Sequence, residues 1–548
     1  MSARLDAAYR TAALRTLAEN EFDVLVVGGG VVGAGAALDA ASRGLSVALV
    51  EARDWASGTS SRSSKLIHGG LRYLEQRDFA LVREALRERS LLLHKLAPHL
   101  VRPVPFLFPL RGRRWERAYV GAGVLLYDSI GGARALPMHR HLSRRRALEL
   151  APALRSDALT GAVRYFDAQV DDARLTMMIA RTAARHGATV LTHAPAVALL
   201  RHGRAVVGAR VHDPGSGARF AVRARRVISA TGVWTEELCG SAPFRVRMSK
   251  GVHLLVPRER ISLRTGLITR TEKSVLFVIP WGEHWIIGTT DTPWADDPAA
   301  PTATRADLDY LLGQVNVLLR EPLSAGDVVG VYAGLRPLLD GKPSETTKLS
   351  REHAVAEPEP GLFVVAGGKF TTYRVMAADV VDAAVRGLGR AVAPSLTRHL
   401  PILGAVGYRE LWADRTALAA NAGLAVSTVE RLLHRYGSAV TDLLAMIERD
   451  GRLATALAGA PGYLAAEVVY AVTHEGALDL DDVLARRTRI AIEQPERGLA
   501  AVEEVAGLIC AHLGWDPAAR AAAVESYLEQ ARAELVETRG AAVRLLTE

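Results

Sequence analysis

Four apolar β-formers, Val24 to Val27, precede Gly28-Gly29-Gly30-Val31-Val32-Gly33 and a run, Ala34 to Arg43, with Leu38 and Ala41 at helical spacing. This order predicts a strand, a tight turn and a helix. The next apolar run, Val47 to Val50, ends in Glu51, 18 residues past Gly33. Two later fragments repeat the logic of a buried strand ending in small residues: Val227 to Gly232, with Thr231 before the glycine, and Leu362 to Lys369, with Gly367-Gly368 before the lysine. The last leads into a predicted helix with an apolar face of Val375, Ala378, Val381, Val385 and Leu388, and with Thr371 or Thr372 as its cap. Residues 101–150 and 244–334 are rich in β-formers and predict an antiparallel substrate-binding sheet. After Pro401 the chain turns Ala/Leu/Arg/Glu-rich with helical spacing, broken at Pro461-Gly462 and Trp515-Asp516-Pro517.

These elements predict an α/β chain with a discontinuous dinucleotide-binding domain (1–100, 151–243 and 335–400), a cap domain (101–150 and 244–334) and a helical C-terminal domain (401–548). A length of 548 residues agrees with more than one domain. Cys239 and Cys510 make no metal-ligand spacing, which excludes a disulfide framework and points to a reducing compartment. No run reaches the ~18 apolar residues of a membrane span, and Met1 to Glu21 lacks the apolar centre of a signal peptide. The net charge of +9 is almost wholly arginine, since only seven of 68 basic residues are lysine. Lysines retained in such a chain, among them Lys65 and Lys369, are candidates for sites that need a compact charge.

Chemistry follows from the turn. Gly28, Gly30 and Gly33 suit a tight turn, a close approach of backbone to pyrophosphate and helix-on-sheet packing, and Glu51 stands where a ribose acceptor belongs. Three strand ends converging with glycines suit an extended flavin nucleotide that crosses the sheet. Asp171 and Asp172 before Arg174 read as a helix N-cap, and His474-Glu475 has no continuation that would make it a metal site; no metal is expected.

Residues 59–75, TSSRSSKLIHGGLRYLE, are dense in hydroxyls, with one lysine, one histidine, two glycines and two arginines. Here the chain resembles the FAD-dependent, quinone-linked glycerol-3-phosphate dehydrogenases of the D-amino-acid-oxidase-like flavoproteins. The likeness continues through Val170 to Leu175, Lys250-Gly251-Val252-His253, Val278 to Trp281, Ile287 to Asp291, Gly334 to Leu338 and Gly367 to Arg374, and reaches the C-terminal domain in Asp481 to Thr488. It departs at Val252, where family members often carry serine near the substrate, and at Phe370, where they often carry leucine.

The resemblance implies a Rossmann-like FAD domain and oxidation of glycerol 3-phosphate to dihydroxyacetone phosphate. It implies transfer of electrons to a quinone from a peripheral position on the inner face of the cytoplasmic membrane; a homodimer is one assembly compatible with it. Arg72, Tyr73, Lys369 and Arg336 are implied to converge on the substrate, with Ser63, Ser64, Lys65, Gly69, Gly70, Thr231, Gly232, Gly367, Gly368 and Thr371 near the cofactor. His68 is the candidate base or hydroxyl-orienting group, and Arg336 its competitor as the holder of the C2 oxygen. Gly69 and Gly70 are expected to let the flavin ring approach the backbone. An amine or amino-acid oxidase on the same fold is the enzymatic rival; a basic flavoprotein that binds nucleic acid, suggested by the charge alone, is the non-catalytic one. Trp115 with Arg111, Arg113, Arg114 and Arg117, and Arg140 with Arg144, Arg145 and Arg146 beyond the apolar run Val120 to Tyr127, are candidate membrane contacts.

Overall fold

A computed structural model describes residues 4–70, 78–112, 116–131, 136–240, 244–271, 275–339 and 353–539. The apolar runs form the centre of the first sheet. Glu21–Val27 pairs in parallel with Val47–Val50 on one side and Arg219–Ser229 on the other, and Leu362–Gly367 extends it beyond Arg219–Ser229. Thr189–Leu191 and the antiparallel His353–Glu359 close the two ends. Both faces are covered, which explains why these strands are apolar throughout rather than alternating. Helices Val31–Ser42, Asp172–Arg185 and Tyr373–Val385 pack together and bury Val24, Val26, Leu49, Met178 and Val380 in one core.

The buried face of Tyr373–Val385 is Met376, Ala377, Val380, Val381 and Ala384, with Val375 and Ala378 only half-buried. The stripe is rotated by about one position from the predicted one. One reason is Arg374, whose guanidinium pairs with both oxygens of buried Glu88 at 2.6 and 2.7 Å and anchors the helix on its neighbour Phe79–Leu91.

A second sheet of ten strands stands beside the first. It contains the expected β-rich segments, Arg102–Leu110 and Val246–Pro257 through Gly330–Leu339, but also Gly161–Gln169 and Leu66–Ile67. Residues 116–131 and 144–150, assigned to the sheet by their β-formers, are helices. Alternation divides Val246–Pro257 between two environments. Val252, Leu254 and Val256 enter a core closed by helix Arg305–Asn316, while Gly251 and His253 face the opposite side, where the cavity lies. Beyond 401 the chain is helical from Tyr408–Ala413 to Pro517–Arg539, apart from a hairpin at 456–464.

Buried charge joins this C-terminal region to the first sheet. Arg486 and Arg487 both pair with Asp54, and Arg174 and Arg181 with Glu475. Arg489 pairs with Asp171 at 2.6 Å and with Asp172. Each of these carboxylates has at least two cationic partners, a multiplicity suited to offsetting the cost of burying charge.

Candidate active site

The glycine turn is built as its spacing predicts. Gly28 has φ of 109°, and a Cβ there would lie 2.6 Å from the Ala230 carbonyl oxygen; a Cβ on Gly33 would lie 1.8 Å from the Gly28 oxygen. Neither position accepts a side chain. Behind the turn, the amide of Val31, first in its helix, donates to Ser60 Oγ at 3.0 Å, and the Glu51 carboxylate accepts from the amides of Gly29 (2.5 Å) and Arg53 (2.8 Å). Burial raises the Glu51 pKa above the usual carboxylate value, and the two amides oppose that shift.

From this turn a continuous cavity of 1480 Å³ runs past Thr231 and Gly232 to the second sheet, where His68, Arg336 and Lys369 share its wall. A space of this volume, with a side-chain-free cradle at one end and cations at the other, fits FAD together with a small phosphorylated substrate. Ser63, Ser64, Gly70, Gly367, Gly368 and Thr371 also line it. Arg336 donates to Thr289 Oγ1 at 3.0 Å and to the Thr290 carbonyl at 3.2 Å, and lies 3.3 Å from Asp291 Oδ1. A Cβ on Gly251 would come within 2.5 Å of its Nη2. Arg72 and Tyr73 lie outside the described residues.

Several expectations change. Lys65 does not reach the cavity: its ammonium is buried behind it, donating to Asp172 Oδ1 (2.9 Å) and the Ser61 carbonyl (3.1 Å), and burial lowers its pKa. Gly69 makes room for protein rather than flavin, since a Cβ there would meet Leu86 at 2.6 Å and Tyr127 at 2.8 Å. The Thr371 hydroxyl bonds to the backbone of His68, and the Thr372 hydroxyl caps no helix amide. The Val252 side chain is buried on the face of its strand away from the cavity, so valine there removes no hydroxyl from the substrate. Asp171 does cap its helix, accepting from the Arg174 amide, and Glu475 is paired with two arginines.

Three groups escaped sequence reasoning. His253 lies at the cavity wall with Nε2 2.8 Å from Ser64 Oγ. Ser60 caps the turn helix. Asp172 accepts from the amide and hydroxyl of Ser63 as well as from Lys65 and Arg489, and so holds the Ser61–Lys65 loop. Only the hydroxyl-dense segment 59–75, which holds Ser60, Ser63 and Ser64, signalled any of this.

Comparison with known proteins decides between the flavoenzyme readings. The family model "FAD dependent oxidoreductase" matches residues 23–383, and "C-terminal domain of alpha-glycerophosphate oxidase" matches residues 395–520. Glycerol-3-phosphate dehydrogenase 2 of Mycobacterium tuberculosis (strain ATCC 25618 / H37Rv) is 55% identical over 539 residues, which span 98% of this chain and 92% of the relative. The chain belongs to the FAD-dependent glycerol-3-phosphate dehydrogenases. The mitochondrial dehydrogenase of Homo sapiens is 38% identical over 534 residues, 92% of this chain and 73% of that one. The crystal structure of the Bacillus halodurans dehydrogenase complexed with FAD superposes with a TM-score of 0.78 at 28% identity, covering 96% of this chain and 98% of that one. Glycine oxidase from Bacillus cereus, at 20% identity and a TM-score of 0.51 over 66% of this chain, shares only the fold, so the amine-oxidase reading gains nothing from it.

Proposed function

We propose that FAD lies along the cavity with its pyrophosphate on the Gly28–Gly33 turn and its ring toward His68 and Arg336, and that glycerol 3-phosphate is oxidised there to dihydroxyacetone phosphate. When bound, FAD supplies the acceptor for the hydride from C2. The chain's own residues do the rest. Lys369, joined by Arg72, gives the phosphate dianion its cations; each charge-assisted contact is worth ~1.5–3 kcal/mol. His68 takes or orients the C2 hydroxyl proton, and Arg336 offers its guanidinium to the oxygen on which charge grows. The observation that carries this reading is the single cavity joining the glycine turn to His68, Arg336 and Lys369.

We further propose that the electrons pass to a quinone at a membrane surface. Phe79, and Val120, Val124 and Leu126 of helix Glu116–Gly131, line the cavity, and among the described residues Phe79 (47%), Leu125 (49%), Leu126 (39%) and Met138 (51%) are exposed large apolar side chains in this part of the chain. Arg117, Arg140, Arg144, Arg145 and Arg146 are exposed nearby in sequence; Arg113, Arg114 and Trp115 lie outside the described residues. Exposed apolar side chains with arginines close by in sequence suit insertion beneath anionic headgroups. Among the described residues no helix is long and apolar enough to cross a membrane.

Vesicle sedimentation tests the surface. Leu125→Ser with Met138→Ser, and Arg144, Arg145 and Arg146 each changed to Gln, should release the protein from anionic vesicles, each arginine being worth ~1 kcal/mol. Activity with a soluble dye should persist while activity with quinone in vesicles falls. Undiminished vesicle binding would place the membrane surface elsewhere.

A further inference from the structure

Neither the glycine turn nor the phosphate cations account for His253. It is buried at the cavity wall, its ring stacked on Tyr332 with centroids 4.7 Å apart and planes 10° from parallel. Tyr332 is held in turn, its hydroxyl donating to the Ser63 carbonyl at 2.9 Å. Two glycines open the space. A Cβ on Gly288 would fall 2.3 Å from His253 Cδ2, just as one on Gly251 would fall 2.5 Å from Arg336 Nη2. Adjacent strands thus omit side chains where an imidazole and a guanidinium stand along one wall.

His253 Nε2 is 2.8 Å from Ser64 Oγ, and its Nδ1 has no hydrogen-bond partner among the described residues. Burial, reinforced by the charges of Arg336 and Lys65, holds the ring's pKa well below the ordinary histidine value, so near neutral pH it carries one N–H. A buried N–H without an acceptor is rarer and costlier than an unused lone pair. The proton therefore sits on Nε2 and is donated to Ser64 Oγ, leaving Nδ1 as the bare lone pair. Ser64's own O–H must then point to another acceptor, and Ser64 lines the cavity.

We propose that Ser64, oriented by His253, donates a hydrogen bond to the terminal alcohol oxygen of glycerol 3-phosphate, the end opposite the phosphate, with His253 as its positioning residue. A neutral serine–histidine pair lacks the charge to hold a phosphate dianion but matches an alcohol oxygen, which needs one directed donor. The inference rests on the cavity being the glycerol 3-phosphate site. It makes the pair a selector for substrates that carry the terminal hydroxyl.

The test compares anaerobic flavin bleaching by glycerol 3-phosphate with bleaching by the phosphate monoester of propane-1,2-diol, which has hydrogen in place of the terminal hydroxyl. The unmodified protein should discriminate against the analogue by about tenfold or more in kcat/KM. In Ser64→Ala and His253→Phe the ratio should fall to within about threefold, the larger loss being on glycerol 3-phosphate, and Ser64→Thr should restore it. Flavin content is read first, and if His253→Phe does not retain flavin the Ser64 pair of variants decides. Equal slowing of both substrates in Ser64→Ala, or no discrimination by the unmodified protein, would overturn the proposal. Failure of glycerol 3-phosphate to bleach the unmodified protein would instead overturn the reading of the cavity.

Discussion

Changing Asp172 to Asn should loosen the Ser61–Lys65 loop without touching the cavity wall. The carboxylate accepts from Ser63 N (2.9 Å), Ser63 Oγ (2.7 Å), Lys65 Nζ (2.9 Å) and Ala173 N (3.0 Å), and it pairs with Arg489. Arg489 keeps Asp171, but Lys65 would lose its carboxylate, keeping the Ser61 carbonyl and the Tyr332 and Trp281 rings, and would face an amide that also presents N–H groups. Breaking a buried pair by removing one charge costs ~3–5 kcal/mol. At roughly 2 °C per kcal/mol for a unit of this size, the temperature of flavin release should drop by roughly 6–10 °C. The assay follows flavin fluorescence during heating, with bound flavin quantified beforehand. A second change, Lys65→Met in the Asp172→Asn background, should recover more than half of the loss, because no unpaired buried cation remains. A shift within about 2 °C for Asp172→Asn with full flavin content would refute the idea that this network holds the loop.

Gly33→Ala should abolish flavin retention, because its Cβ would lie 1.8 Å from the Gly28 oxygen; Gly30→Val, which sets a side chain in the path proposed for the pyrophosphate, should also lower flavin content, as flavin-to-protein absorbance ratios would show. His68→Ala should slow flavin bleaching ~10²–10⁴-fold while weakening substrate binding much less. If stopped-flow traces show that loss with Arg336→Ala and not with His68→Ala, the two roles are exchanged. Stability should fall as pH rises from about 6.5 to about 9. Asp482, 2.9 Å from His193, raises the His193 pKa from 6.5 to about 9 against burial, so the folded state holds a proton that the unfolded state has released. Melting temperatures across that window should decline, and His193→Gln should flatten the decline.

The part of the site that was legible in sequence is local. The Gly28–Gly33 turn is specified within six residues by backbone sterics, so spacing alone announces it. His68, Arg336 and Lys369 emerged from motif likeness, and tertiary folding brings them to one cavity. What stayed hidden depends on partners far apart in the chain. Ser64 meets His253 across 189 positions, and Arg489 meets Asp172 across 317. Neither residue type nor local period encodes such a pair. Lys65 misled for the same reason, since its place in a hydroxyl-dense motif gave no sign that Asp172 draws its ammonium away from the cavity. Helix Glu116–Gly131 was read as sheet because its valines and leucines suit either structure.

One spectrum tests the joining of flavin and phosphate sites most directly. The purified protein should be yellow, and anaerobic glycerol 3-phosphate should bleach its flavin absorbance stoichiometrically while glycerol at the same concentration leaves it unchanged. A colourless protein, a flavin spectrum indifferent to glycerol 3-phosphate, or equal bleaching by glycerol would contradict the joining of flavin and phosphate sites in one cavity.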